Sequence, residues 1–218
     1  MLAVVVADGE PAPEDADVAR GAGLVIAADG GARWLEGQGV QPHLVVGDLD
    51  SLDEPTIERL RESGTRLSRH PAEKDASDTE LALGAAVTEG ADRIVVLGAF
   101  GGSRFDHELA NVLLLVDPAF ADVDIRLQRG PTQLRAIGGA SSLTIEVGAG
   151  GTVTLLPVGA DAVGVTTHGL RYALDDETLV MGRSRGLSNV VVKEPALVSM
   201  RAGSLLVIEI GNRKEGES

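Results

Sequence analysis

Two aspartates flank a single apolar residue in Gly47-Asp48-Leu49-Asp50-Ser51, directly after the apolar run Leu44-Val45-Val46. Carboxylates placed where a buried strand ends are costly to desolvate unless something positive faces them. One account is turn chemistry, with an Asp capping the helix that follows. A cap needs only one acid, and here there are two. The other account is a hard cation, Mg²⁺, held by carboxylate oxygens, with phosphate oxygens and water completing its shell.

Three further clusters lie at the end of an apolar run or at a helix start. Asp29-Gly30-Gly31 closes the run Val25-Ile26-Ala27-Ala28. In Lys74-Asp75-Ala76-Ser77-Asp78-Thr79-Glu80, Ser77 and Glu80 have capping-box spacing and Asp78 suits a helix dipole. That account leaves out Lys74, one of only three lysines, which fits an anion held at the same helix end with Asp78 facing a metal. Gly98-Ala99-Phe100-Gly101-Gly102-Ser103-Arg104-Phe105-Asp106-His107 reads either as a flexible loop capped by Asp106 or as a phosphate cradle. In the second case Gly101 and Gly102 let backbone N–H groups approach closely and Arg104 offers a fork to oxygen. Other chemistries are excluded. There is no cysteine, no pair of the four histidines has helical metal-ligand spacing, and neither a Walker A loop nor a Gly-x-Ser-x-Gly elbow occurs.

The positioning elements follow from apolar patterning. Short continuous runs at 3–7, 24–28, 44–46 and 93–97 read as parallel strands covered on both faces. Helical patterns lie between them: one carrying Trp34 and Leu35, one from Ser51 (with Glu54 at the box position) to Gly64, one from Ser77 to near Gly90, and one from near Asp106 through Val116. Such alternation means an α/β, doubly wound, mostly parallel sheet, whose ligands bind at the carboxyl edge where the four clusters sit. After Pro118 the pattern changes. Strand-like runs at 142–147, 152–156, 178–181, 190–192 and 204–210, with Gly148 to Gly151 as a hairpin connection, predict an all-β sandwich or barrel. The boundary lies between 124 and 141, giving an α/β nucleotide-binding catalytic domain over 1–137 and a β-domain over 138–218. The charged tail from Asn212 is expected to fray.

Composition narrows the partners. With 33 acidic against 19 basic residues the formal charge is −14, and no basic cluster marks a nucleic-acid face. No apolar run approaches a membrane span and the N-terminus has no basic region of a signal peptide, so a cytoplasmic protein without membrane contact is expected. On residues alone the chain is a Mg²⁺-dependent enzyme of phosphate esters or anhydrides, and a kinase, a hydrolase and a pyrophosphokinase remain equally open.

Taken together, Ala28-Asp29-Gly30-Gly31-Ala32, Gly47-Asp48-Leu49-Asp50-Ser51, the 74–80 and 101–107 segments, Asn111, Gly169-Leu170-Arg171-Tyr172 and Gly186-Leu187-Ser188-Asn189 resemble the thiamine pyrophosphokinase family in order and spacing. The resemblance implies a nucleotide-binding α/β domain followed by a thiamine-binding β-sandwich. The implied reaction moves the pyrophosphoryl group of ATP to the hydroxyl of thiamine, giving thiamine diphosphate and AMP in a homodimer. It further implies that Asp48, Asp50 and Asp78 hold Mg²⁺ with Asp29 nearby, and that Lys74 and Arg104 contact the pyrophosphoryl oxygens. Asp106 would join the metal cluster or take the hydroxyl proton, Gly30, Gly31, Gly101 and Gly102 would line the nucleotide, and Ser188 and Asn189 would position thiamine. Rival readings are a pyrophosphokinase for another alcohol, such as a hydroxymethylpterin, and a non-catalytic nucleotide-binding protein. No aromatic follows Asn189, and Tyr172 is the only tyrosine.

Overall fold

The structure, a computed structural model, describes residues 1–212 and divides into two compact units, Met1–Gly130 and Pro131–Ser218. The expected fraying concerns mainly 213–218, which lie outside the described residues.

In the first unit six strands, β1 (Leu2–Val6), β2 (Leu24–Ala28), β3 (Leu44–Gly47), β4 (Arg66–Arg69), β5 (Arg93–Leu97) and β6 (Asp124–Arg129), alternate with five helices. These are α1 (Asp15–Arg20), α2 (Gly31–Gly37), α3 (Glu54–Glu62), α4 (Asp78–Thr88) and α5 (Phe105–Leu114). The strand order is β6-β5-β1-β2-β3-β4, with every pairing parallel. The chain steps outward from β1 to β4, then returns through α4 to β5 on the other side of β1. Right-handed crossovers therefore place α1 to α3 on one face and α4 and α5 on the other. Alternate residues serve the two faces. Val4, Val6, Val25, Ala27 and Val45 join Leu35 and Ile57 in one buried cluster, while α4 packs on β1, β2 and β3 through a face of Ala82, Leu83 and Ala86.

At four places the structure differs from the sequence reading, one of them a strand, β4, that the reading did not contain. The N-cap of α3 is Asp53, whose carboxylate accepts the Thr56 N–H at 2.9 Å, rather than Ser51. Asp106 is not the cap of α5. The cap position is Arg104, without a side-chain bond, and Asp106 lies inside the first turn. The strand β4 is an edge strand with the sequence Arg-Leu-Ser-Arg, so it needs no continuous apolar run and shows none. The fourth concerns Gly148 to Gly151, in the second unit. Ser77 caps α4 as its spacing predicts, accepting the Glu80 N–H at 3.1 Å.

The second unit holds β7 (Thr132–Gly138), β8 (Ser141–Ile145), β9 (Thr152–Pro157), β10 (Ala162–His168), β11 (Glu177–Leu179), β12 (Asn189–Val190), β13 (Ala196–Met200) and β14 (Ser204–Ile210). One layer has the order β12-β9-β14-β7 and the other β11-β10-β13-β8, all antiparallel. Because β7 pairs along its length with β14, the division falls at 130/131, ahead of the expected 137/138. Since β8 pairs with β13 and β9 with β14, Gly148 to Gly151 is no hairpin; it carries the chain from one layer to the other. Between the layers lie Val153, Leu155, Val165, Leu179, Val198, Leu205 and Val207. A buried ion pair between Arg135 of β7 and Glu209 of β14 clips β8 to them. Glu209 accepts the N–H groups of Glu146 and Val147, and Arg135 donates to the Thr144 carbonyl at 2.9 Å. No helix among the described residues is long and apolar enough to cross a membrane.

Removing one partner of such a pair leaves a buried charge, so Glu209→Ala should lower the free energy of unfolding by about 3–5 kcal/mol in denaturant titrations. The cap assignment is checked the same way: Asp53→Ala lowers the unfolding midpoint and Asp53→Asn, which keeps an acceptor for the Thr56 N–H, restores most of it.

Candidate active site

The first unit brings its strand-end acids together. Asp29 leaves β2 with φ 42°, and its N–H donates to the Val46 carbonyl at 2.8 Å, which ties the end of β2 to the end of β3. Gly47 then has φ 151°, and a Cβ there would lie 3.0 Å from Asp29 Cβ and 3.1 Å from Asp78 Oδ1. Only glycine admits so close an approach. Leu49, buried at φ 66°, turns the chain between Asp48 and Asp50, and Asp48 Oδ1 accepts the Asp50 N–H at 3.1 Å. The outcome is three carboxylates, of Asp29, Asp48 and Asp50, each with an oxygen within 4.8 Å of the others.

Asp29 is the unusual member. It is 8% exposed, and its Oδ1 has no hydrogen-bond partner. Burial pushes its carboxyl above the ordinary carboxylate value, and the charges of Asp48, Asp78 and Asp50 add to the rise against an opposing hydrogen bond from Ser51. An unpartnered buried oxygen beside two more carboxylates is what a hard divalent cation would satisfy, and an all-oxygen donor set suits Mg²⁺.

Asp78 borders this group as the first residue of α4, but its Oδ1 accepts from Lys74 Nζ at 2.7 Å. The described trio thus contains Asp29 where the sequence pattern favours Asp78. Arg104 and Asp106 form a two-pronged pair at 2.9 and 2.6 Å on an exposed stretch at the start of α5. Arg104, by hydrogen bond first and by charge, holds the Asp106 carboxyl far below the usual range. Gly31 is a packing glycine, since a Cβ would lie 2.0 Å from the Val6 carbonyl, and at Gly30 a Cβ would meet the Asp8 carboxylate. Gly101 lies against Glu10, whereas Gly102 faces open space. Asp8, at the end of β1 and 3.6 Å from Arg33, has the same strand-end position as the other acids. That position was the signal by which the sequence could have pointed to it.

In the second unit Ser188 has φ 55° and its N–H donates to Thr154 Oγ1 at 3.0 Å. Asn189 is buried, and its side chain is taken up by backbone. Oδ1 accepts from the N–H groups of Tyr172 at 3.0 Å and Val190 at 2.9 Å, while Nδ2 donates to the Tyr172 carbonyl at 2.8 Å.

Comparison with known proteins matches residues 16–127 to the catalytic domain of thiamin pyrophosphokinase, and residues 142–205 to its vitamin B1 binding domain. The thiamine pyrophosphokinase of Bacillus subtilis is 28% identical over 186 residues, which covers 85% of this chain and 86% of the relative. A crystal structure of thiamine pyrophosphokinase from the same organism superposes with a TM-score of 0.86 at 26% identity, over 98% of this chain and 100% of that one. A thiamin pyrophosphokinase from Candida albicans shares the fold, with a TM-score of 0.80 at 16% identity over 96% of this chain and 88% of that one.

The raised carboxyl of Asp29 carries a sign. The folded state tolerates the charged form less well than the unfolded chain does, so stability is present while the group is protonated and is lost as pH rises through its folded value. With divalent ions chelated, Asp29→Asn should therefore unfold at a higher denaturant concentration than the parent at pH 7. The gap should shrink as pH falls toward 3.8, and added Mg²⁺ should stabilise the parent more than the variant.

Proposed function

The chain belongs to the thiamin pyrophosphokinase family, and on that premise we propose that its acidic strand-end site transfers the pyrophosphoryl group of Mg²⁺-bound ATP to the hydroxyl of thiamine, giving thiamine diphosphate and AMP. The observation that carries this reading is the buried, unpartnered oxygen of Asp29 within 4.8 Å of Asp48 and Asp50. Bound there, Mg²⁺ would neutralise the phosphate oxygens and make an acidic site compatible with ATP. Asp29, Asp48 and Asp50 would hold it, with Asp78 at their border.

In this reading the thiamine hydroxyl oxygen attacks the β-phosphorus of ATP, the bond from that phosphorus to the α–β bridging oxygen breaks as AMP leaves, and the hydroxyl proton is released to solvent. A loose transition state demands alignment and charge neutralisation more than a strong base. Lys74, held at 2.7 Å by Asp78, and Arg104, held by Asp106, are cations whose present partners are carboxylates. Each would exchange its carboxylate for pyrophosphoryl oxygens when ATP binds. Gly102, at φ 89° with open space beside it, supports a close approach of phosphate to backbone. We assign thiamine to the second unit near Ser188 and Asn189, and a cytoplasmic homodimer as the working form.

The test is product identity. With ATP and Mg²⁺, AMP should form only when thiamine is added, chelation should stop it, and a hydroxymethylpterin should not replace thiamine. Clean ADP production would sink the proposal. Asp48→Asn and Asp50→Asn should each lower kcat about 10²–10³-fold, as loss of one charge-stabilising group does, without lowering the unfolding midpoint.

A further inference from the structure

His43 stands one residue ahead of β3, at the amino edge of the parallel sheet, whereas the acid cluster lies at the carboxyl edge. Its backbone joins two neighbouring strands. The His43 N–H donates to the Val25 carbonyl of β2 at 2.8 Å, and the His43 carbonyl accepts the Arg66 N–H of β4 at 3.1 Å. The ring makes a further bond, in which Nδ1 accepts the Val25 N–H at 3.0 Å. His43 thus meets both backbone polar groups of Val25, one with its own backbone and one with its ring.

The direction of that last bond fixes the state of the ring. A backbone N–H can only donate, so Nδ1 must keep its lone pair and the proton of the neutral ring sits on Nε2. An imidazolium carries N–H on both nitrogens and would turn a donor toward a donor. Val25 is 3% exposed, so its N–H has little access to water once the acceptor is lost. His70 shows the contrast. Its Nε2 lies 3.1 Å from the Ser68 hydroxyl, which donates or accepts as the ring requires.

The surroundings offer a charged ring no compensation. His43 borders a hollow together with Met1, Arg66 and Glu89. Glu89 pairs with Arg66 at 2.7 Å, and Asp92 pairs with the Met1 ammonium. On α1, ahead of β2, Asp17 pairs with Arg20. On α3, which packs on β4, Arg59 pairs with Glu36 of α2 and Arg61 with Glu58, and Glu62 is exposed in the last turn.

We propose that His43 is an acid-released latch on the β2–β3 pair. Neutral, it fastens the amino ends of the two strands whose carboxyl ends lead into Asp29 and Asp48; protonated, it lets the Val25 N–H go. The latch is independent of the proposed reaction. Histidine changes charge between about pH 5 and 8. The unfolded chain takes up that proton freely, whereas the folded chain must give up a bond to do so. The unfolded state therefore binds more protons on the acid side, and the stability supplied by the latch is complete near about pH 8 and lost as pH falls toward about 5. Asp29 contributes in the opposite direction, so the test compares two chains that both retain it.

The experiment follows denaturant unfolding of the full chain, with divalent ions chelated, at about pH 8 and about pH 5 in the parent and in His43→Asn. Asn carries an oxygen acceptor at the position of Nδ1 along the side chain, and it does not titrate. Between the two pH values the unfolding equilibrium constant of the parent should rise about tenfold more than that of the variant, the worth of one bond to a buried donor. Nitrogen NMR of the imidazole rings, with the other three histidines replaced by Asn to leave His43 alone, should show Nε2 protonated and Nδ1 bare at about pH 8. That spectrum decides the matter should His43→Asn fail to fold. A proton on Nδ1 overturns the latch, and so does a pH dependence in His43→Asn as steep as that of the parent.

Discussion

The first unit is arranged around a repulsion. Three carboxylates are held within 4.8 Å of one another, and one of them, Asp29, is buried with an oxygen that bonds to nothing. Like charges so placed push each other apart, and they stay only where the backbone leaves no choice. Here the N–H of Asp29 is fastened to β3, Gly47 admits the approach, and Leu49 keeps a left-handed turn because its side chain is anchored in the core. Burial of Val, Ile, Leu and Ala on both faces of a parallel sheet offsets the electrostatic cost, which makes the rigid sheet the precondition of the site.

The second unit shows what a buried charge looks like when the protein satisfies it by itself. Glu209 is 1% exposed, and it has a guanidinium on one oxygen and two backbone N–H groups on the other. The same sequence thus builds a complete arrangement for one carboxylate and leaves another incomplete. The contrast is what the proposed function draws on, since in that reading the bare oxygen of Asp29 is the one a cation would complete.

How much of this was legible in the sequence depended on whether the signal was local. The apolar runs at 24–28 and 93–97 coincide with β2 and β5, because strands buried on both faces are close to continuously apolar, and the run at 204–210 coincides with β14 although Glu209 interrupts it. The acids were found because each sits where such a run stops. The polar edge strand β4 carried no comparable signal. Nor did β10, where Gly164 and a pair of threonines interrupt the alternation. Around α3 two overlapping cap patterns competed, Ser51 with Glu54 and Asp53 with Thr56, and the left-handed turn at Leu49 settled the matter by setting where the helix could start. The pairing of Asp78 with Lys74 lies four residues apart and was within reach. The work of Asn189 was not, since nothing in the sequence says that Tyr172 is its neighbour.

The order of strands in the second unit bears on how the protein is made. The strand β14 is the most C-terminal of those described, yet it lies between β9 and β7 in the interior of its layer. During synthesis β7 and β9 emerge from the ribosome long before the strand that joins them, and each presents an unpaired apolar edge in the interval. The first unit draws its six strands from residues that have all appeared by Arg129. A nascent chain would then carry a formed parallel sheet next to an unfinished antiparallel one, and a message broken anywhere before the codon for Ser204 would leave that second layer open for good.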